Sequence, residues 1–200
     1  MSISARDVVP FTQARSTLSE LADQVKAGEP LFTLEQENEA AARREAQQRL
    51  QSAEAQLANL QQLGYQTMTP IQAASLPLAL AGKDLIAQAK TGSGKTVAFG
   101  LPLLTSLNPR HFAVQALVLC PTRELADQVT TEIRRLARAE DNIKVVTLCG
   151  GVPLRGQLAT LEHGAHIVVG TPGRLMDHLE RGSLQLEAMN TLVLDEADRM

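Results

Sequence analysis

Residues Ala89–Thr96 read Ala-Lys-Thr-Gly-Ser-Gly-Lys-Thr, following an apolar run at Asp84–Ala89 and opening a helical pattern. A strand that runs into a glycine-spaced loop and then a helix turns successive backbone N–H groups inward, with the helix dipole behind them. That is a phosphate cradle. Ala89, Thr91, Gly92, Ser93 and Gly94 would line it, the Lys95 ammonium would reach the β- and γ-phosphates of a nucleotide, and the Thr96 hydroxyl would ligate Mg²⁺. Ala89 occupies the place of the first glycine in the general pattern. A chance Gly-Ser turn with a stray lysine would not bring both flanks with it.

The text around this loop repeats one theme. Apolar runs at Asp84–Ala89, Gln115–Cys120, Ile143–Cys149, His166–Gly170 and Thr191–Asp195 are each followed within two residues by Gly, Pro, Thr or an acid, and then by a helical pattern. Continuous apolar runs between amphipathic helices predict an α/β fold, a doubly wound parallel sheet covered on both faces. Ligands of such sheets bind beyond the carboxyl ends of the strands. Every chemically suggestive stretch falls there.

The last run ends in Asp195-Glu196-Ala197-Asp198. A carboxylate at the tip of a buried apolar strand is costly unless a cation compensates it, and Mg²⁺ would. Asp195 is then the expected metal holder, and Glu196 the group that orients or deprotonates an attacking water. Alone, these acids could simply start a helix. Paired with the phosphate loop, they read as the second half of a nucleotide site, with Lys95, Asp195 and Glu196 as catalytic residues.

Further matches occur in order along the chain. Gly64-Tyr65-Gln66-Thr67-Met68-Thr69-Pro70-Ile71-Gln72 precedes the loop; Pro121-Thr122-Arg123-Glu124-Leu125-Ala126, Gly150-Gly151 and Thr171-Pro172-Gly173-Arg174 lie between it and Asp195. With the loop and the Asp-Glu-Ala-Asp tetrad they resemble the motifs of DEAD-box ATP-dependent RNA helicases. The resemblance implies a RecA-like P-loop NTPase domain over residues 64–200 that uses ATP and Mg²⁺. It implies that Gln72 reads the adenine edge and Thr69 supports the phosphate loop. It assigns Pro121, Thr122, Arg123, Gly150, Gly151, Thr171, Pro172, Gly173 and Arg174 to the sugar-phosphate backbone of RNA. Helix N-termini with free N–H groups suit phosphates and read no base. Within the family, the wording points to ribosome assembly, with ribosomal RNA as a partner.

Two departures qualify the match. The family carries an aromatic upstream that stacks on adenine, whereas this chain has Arg44-Glu45-Ala46-Gln47 in that neighbourhood. Stacking of this kind contributes about 1–3 kcal/mol. The sequence also ends at Met200, inside the element expected after Asp198, so the Ser-Ala-Thr strand, the second RecA-like domain and its arginine finger fall outside it. Slow hydrolysis and no unwinding are expected of these residues alone. A sheet opened where that strand belongs is expected to be marginally stable.

Residues 1–63 differ in character. Residues 1–34 combine a β-like run with a helical pattern, and the first 28 or so resemble the N-terminus of Phd/YefM-type antitoxins. Residues 35–63 are rich in Glu, Gln, Ala and Arg, a helix stopped by Gly64. Leu50, Ala53, Leu57 and Leu60 could form a short seam, though docking of the helix end on the next domain is the favoured reading. Arg43 and Arg44, flanked by glutamates, are expected to be solvated.

Composition sets outer limits. A net charge of −3 argues against blanket electrostatic binding of nucleic acid, so RNA contacts must be local. Cys120 and Cys149 are expected to be buried free thiols of a cytoplasmic protein, and no run reaches the length of a membrane span. The histidines 111, 163, 166 and 178 are expected to be solvated. Two other function classes stay open: a nucleotide- or RNA-binding module without turnover, and an antitoxin-like DNA-binding regulator acting through residues 1–34.

Overall fold

The computed structural model describes residues 33–200, apart from 141, so the antitoxin-like reading of residues 1–28 and the β-like run within them lie outside the described residues. The chain divides into two compact units, 1–51 and Ser52–Met200. Helix α1 (Thr33–Gln62) is the expected polar helix, and Arg43 on it is solvated beside Glu39. Gly64, at φ 85°, stops it: Tyr65 N–H bonds Leu60 O at 2.9 Å and Gly64 N–H bonds Gln61 O at 3.0 Å. The left-handed residue thus satisfies the last carbonyls of the helix.

Within Ser52–Met200 follow α2 (Pro70–Leu80), α3 (Lys95–Thr105), β1 (Ala116–Leu119), α4 (Arg123–Leu136), β2 (Val145–Leu148), α5 (Leu154–Glu162), β3 (Ile167–Gly170), α6 (Pro172–Glu180) and β4 (Thr191–Leu194). The strands form one parallel sheet in the order β2-β3-β1-β4. Strand periodicity sorts their side chains into two layers. Ala116, Val118, Val145, Ile167 and Val169 meet Leu103, Val129 and Ile133 on one face. Leu117, Val146, Leu148 and Val168 meet Leu175 and Leu184 on the other. Both faces are covered at β1, β2 and β3, as the continuous apolar runs require, but at β4 only Val193 packs on a core while Leu192 and Leu194 are exposed.

One expected strand does not form. Residues 84–89, between α2 and the phosphate loop, pair with nothing, and Leu85 and Ile86 are exposed. A strand exists only through its neighbour's hydrogen bonds. Both sides of β1 are taken by β3 and β4, and this segment does not reach the outer edge of β4. Apolar sequence cannot supply the missing ladder.

The end of α1 docks on α4, and of its leucine seam only Leu60 packs against the core. Asn59 Nδ2 donates to the last carbonyls of α4, Arg135 O at 3.1 Å and Leu136 O at 2.9 Å, while Ser52 and Gln56 donate to Glu140. Leu50 and Leu57 remain exposed. Beyond the helix, the Tyr65 hydroxyl donates to Glu132 at 2.6 Å, and burial together with that carboxylate pushes its pKa up to about 12.

The histidine expectation needs correction. His111 and His163 are exposed, but His166 and His178 are fully buried. His166 accepts the Lys144 N–H at Nδ1 (3.0 Å) and donates from Nε2 to Pro109 O (3.2 Å), tying the start of β3 to two loops. Hydrogen bonding makes such burial tolerable. Cys120 and Cys149 are buried and free, and burial pushes the Cys120 thiol up to about 12.

Candidate functional site

The phosphate loop folds as its glycines dictate. Gly92 and Gly94 adopt φ 77° and 88°, the left-handed region open to glycine at little cost. Gly94 is doubly constrained, since a Cβ there would stand 2.5 Å from Gln72 Nε2 and 3.3 Å from Thr69 Oγ1. Lys95 begins α3, and its ammonium rests on Ala89 O at 2.7 Å. Lys90 O accepts the Ser93 N–H at 3.2 Å.

Among the described residues two buried hydroxyls at this place have no partner, Ser93 Oγ and Thr69 Oγ1. Buried polar atoms are almost always bonded, so an orphaned pair beside a helix N-terminus fits a ligand that brings its own acceptors. Beside the loop lies a cleft of about 520 Å³ lined by Pro70, Ile71, Ala74, Gln88 and Lys90, with no aromatic among its lining residues.

Gln72 is turned inward. It is 3% exposed, accepts the Thr69 N–H at 3.0 Å and donates to Gly94 O at 3.2 Å. Its amide therefore braces the phosphate loop, leaving one N–H and one lone pair for a base.

Asp195 follows β4 and is 8% exposed. Burial raises its pKa, Lys95 draws it down, the charge of Glu196 raises it again, and the Glu196 N–H lowers it. Lys95 and Asp195 therefore share one electrostatic site although Asp84–Ala89 forms no strand. Glu196 sits at φ 52°, rare for a residue with a side chain, and its carboxylate is held by Arg199 at 2.7 Å. Among the described residues no cluster of three or more His, Cys, Asp or Glu could hold a metal by itself. A lone aspartate, together with Thr96 directly after Lys95 in the phosphate loop, fits Mg²⁺, which keeps most of its shell as water and nucleotide oxygens.

The other motifs follow β1, β2 and β3 at the same sheet end. Thr122 caps α4, its hydroxyl accepting the Leu125 N–H at 3.2 Å. Next to it Arg123 is half exposed, donating to Gly150 O at 3.4 Å and lying 3.9 Å from Glu124. The Thr122 hydroxyl, after its own backbone, helps hold Glu124 below its ordinary pKa. Gly151 has φ 78°, and a Cβ there would collide with the Arg123 guanidinium. Thr171 and Pro172 start α6 without a side-chain cap, and around Gly150 and Gly173 a Cβ would meet open space. Between α4, β2 and α5 opens a groove of about 570 Å³ whose lining includes Arg123, Asp127, Gly150 and Gln157.

Arg174 behaves differently from Arg123. Its side chain is 12% exposed and its NH1 donates to Val152 O at 3.2 Å and Gln157 Oε1 at 2.8 Å. Gln157, His178 and Val152 were not legible as site residues from motif spacing. Gln157 does carry a signal: it shares a helical stripe with Leu154, Leu158 and Leu161, and a polar residue on an apolar stripe must have a buried partner.

The chain is similar to known proteins over the residues that carry this arrangement. The family model for DEAD/DEAH box helicases matches residues 69–200. The ATP-dependent RNA helicase DbpA of Escherichia coli is 64% identical over 146 residues, 73% of this chain and 32% of that protein. A DEAD-box ATP-dependent RNA helicase CshA from Geobacillus kaustophilus is 48% identical over 70% of this chain and 30% of its own. The chain thus spans about a third of the length of these curated relatives. Among solved structures, a DEAD box protein from Methanococcus jannaschii superposes with a TM-score of 0.68 at 42% identity, covering 72% of this chain and 39% of that one.

Proposed function

The chain belongs to the DEAD/DEAH box helicase family, and on that premise we propose that residues 64–200 form the nucleotide-binding half of an ATP-driven RNA-remodelling motor. ATP would lie with its phosphates on Thr91, Gly92, Ser93 and Gly94, the Lys95 ammonium leaving Ala89 O for the β- and γ-oxygens. Thr96 and Asp195 would hold Mg²⁺, which supplies neutralisation of the phosphate charge. Glu196 would orient the attacking water and accept its proton. Gln72 braces the loop from behind and offers its remaining N–H and lone pair to the base. RNA would cross the ends of β1, β2 and β3, held by Arg123 and by backbone N–H groups near Gly150, Gly151 and the start of α6.

The observation that carries this reading is the pair of orphaned hydroxyls, Ser93 Oγ and Thr69 Oγ1, beside Lys95 at the same sheet end as a buried Asp195. Ribosomal RNA as the target and a cytoplasmic place of action belong to the same proposal. Free buried thiols at Cys120 and Cys149 suit a reducing compartment, and among the described residues no helix is long and apolar enough to cross a membrane.

A thermal melt with and without Mg-ATP tests it. A ligand that binds only the folded state adds about 2.7 kcal/mol at a hundredfold excess over Kd. The melting temperature should rise with Mg-ATP in the unaltered chain and stay put in Lys95→Ala. Equal shifts in both proteins, or none in either, would defeat the assignment. Binding without any phosphate release under RNA would restrict it to a nucleotide-holding module.

A further inference from the structure

Arg123 and Arg174 read alike in the sequence, each an arginine in a short motif at a strand end, yet their surroundings differ in kind. Arg123 has a half-exposed side chain with one long hydrogen bond and one loose ion pair. Arg174 is packed away, and each of its polar contacts is internal: Val152 O, Gln157 Oε1, and Asp177 at 3.5 Å from Nε. We infer that Arg174 is a positioning residue, which with Gln157 and His178 clamps the Gly150–Val152 loop so that Arg123 and the loop amides face RNA. The inference rests on the RNA-binding reading above and reassigns one residue within it.

Gln157 is the node. Its Nε2 donates to Cys149 O at 2.9 Å and its Oε1 accepts from Arg174, so the loop is gripped by Gln157 at Cys149 and by Arg174 at Val152. Carbonyls only accept and guanidinium only donates, so the Gln157 amide can point just one way. His178 Nε2, 3.0 Å from the same Oε1, must then carry a proton, and Nδ1 faces the Ser183 hydroxyl at 2.8 Å. His178 is fully buried and Gln157 is 8% exposed, so every link lies where an unmatched group would be costly. The loop that this clamp holds keeps its own N–H groups free: among the described residues Gly150 and Gly151 donate no backbone hydrogen bond. Gly151 is also where Arg123 lies closest. A clamp at 149 and 152 therefore sets both the amides and the arginine that crosses them.

Charge and position are separable by salt. A side chain that neutralises a phosphate contributes about one unit to the slope of log K against log salt, and one that only positions does not. The test uses the full chain and a short oligouridylate, with binding measured over a salt series. Arg123→Ala should lower the slope by about one. Arg174→Lys keeps the charge but lacks the fork that bridges Val152 O and Gln157, so it should weaken binding by about tenfold with the slope unchanged. Gln157→Ala should do the same, and the double variant should be no worse than the weaker single one. Retained affinity in Arg174→Lys together with a reduced slope in Arg174→Ala would overturn the inference. Amide hydrogen exchange gives a second readout that needs no RNA: both clamp variants should speed exchange at Gly150–Val152 while leaving β1 protected. Faster exchange in a chain that binds no oligouridylate would sink the RNA reading and leave the clamp standing. Unchanged exchange would sink the clamp.

Discussion

Glycines in the motifs serve different masters, and the structure separates them. At Gly151 the backbone is left-handed and a methyl group would strike the Arg123 guanidinium. Because the obstacle is the far end of a flexible side chain, Gly151→Ala should cost only the left-handed penalty, about 1–2 kcal/mol. The guanidinium would be displaced, so RNA affinity should drop by about tenfold, the scale of one good contact. A melt and a binding titration on the same variant check both halves. Gly173 is the opposite case, with ordinary φ, a place in the first turn of α6, and open space where a Cβ would go. Nothing in the fold asks for glycine there. Gly173→Ala should therefore leave stability unchanged or raise it by about 0.5–1 kcal/mol, and weaken RNA binding if the RNA backbone approaches that turn. Stability gained with RNA affinity intact would remove Gly173 from the interface.

Elements were legible where the physics is local, and illegible where it is not. β1 through β4 fall inside the apolar runs at 115–120, 143–149, 166–170 and 191–195, because alternate residues of β1, β2 and β3 feed two cores, Val193 of β4 joins one of them, and turn chemistry bounds each run. Residues 84–89 have equally apolar text and fail, because a strand requires a neighbour that sequence composition cannot name. The phosphate loop beyond it folds all the same, its turn encoded by Gly92 and Gly94. Gln157 and His178 were missed for a related reason: their partners, Cys149 O, Arg174 and Ser183, converge from different elements. Helix α1 shows the limit of apolar periodicity most sharply. Its docked side is Ser52, Gln56, Asn59 and Leu60, a mostly polar row, while Leu57 faces solvent. Asn59 there completes the carboxyl end of α4, the helix whose other end carries Arg123. Each such hydrogen bond is worth about 0.5–1.5 kcal/mol. Asn59→Ala should lower stability by about 1–2 kcal/mol on the same scale, whereas Leu57→Ala should cost under about 0.5 kcal/mol, as exposed positions do. Equal losses in denaturant titrations would mean that the leucine row, and not the polar row, is the docked side.

At the scale of the whole molecule, the sheet is anchored at β3 and β1, each paired on both sides, and ends at β4, which among the described residues pairs only with β1. The buried histidines stitch the well-anchored half: His166 joins the start of β3 to the loops before β1 and β2, and His178 joins α6 to α5. Both have pKa values lowered from 6.5, burial being the leading cause in each and nearby cations adding to it. A histidine that stays neutral in the fold but protonates when unfolded makes the unfolded state bind more protons as pH falls. Its stabilising contribution is complete above the unfolded value of 6.5 and is lost progressively below it, down to the folded value. Asp195 has the opposite sign, since burial raises its pKa; its contribution is present below 3.8 and fades as pH rises through its folded value. Stability should therefore fall as pH drops from about 7.5 to about 5.5, the range in which histidine titrates. Replacing His166 by glutamine, His166→Gln, should lower stability at the upper pH and flatten the dependence. Urea midpoints for the two proteins at both pH values decide it. A profile equally steep in the variant would show that protons enter elsewhere, and a chain more stable at the lower pH would place the dominant linkage on Asp195, at the nucleotide end of the sheet.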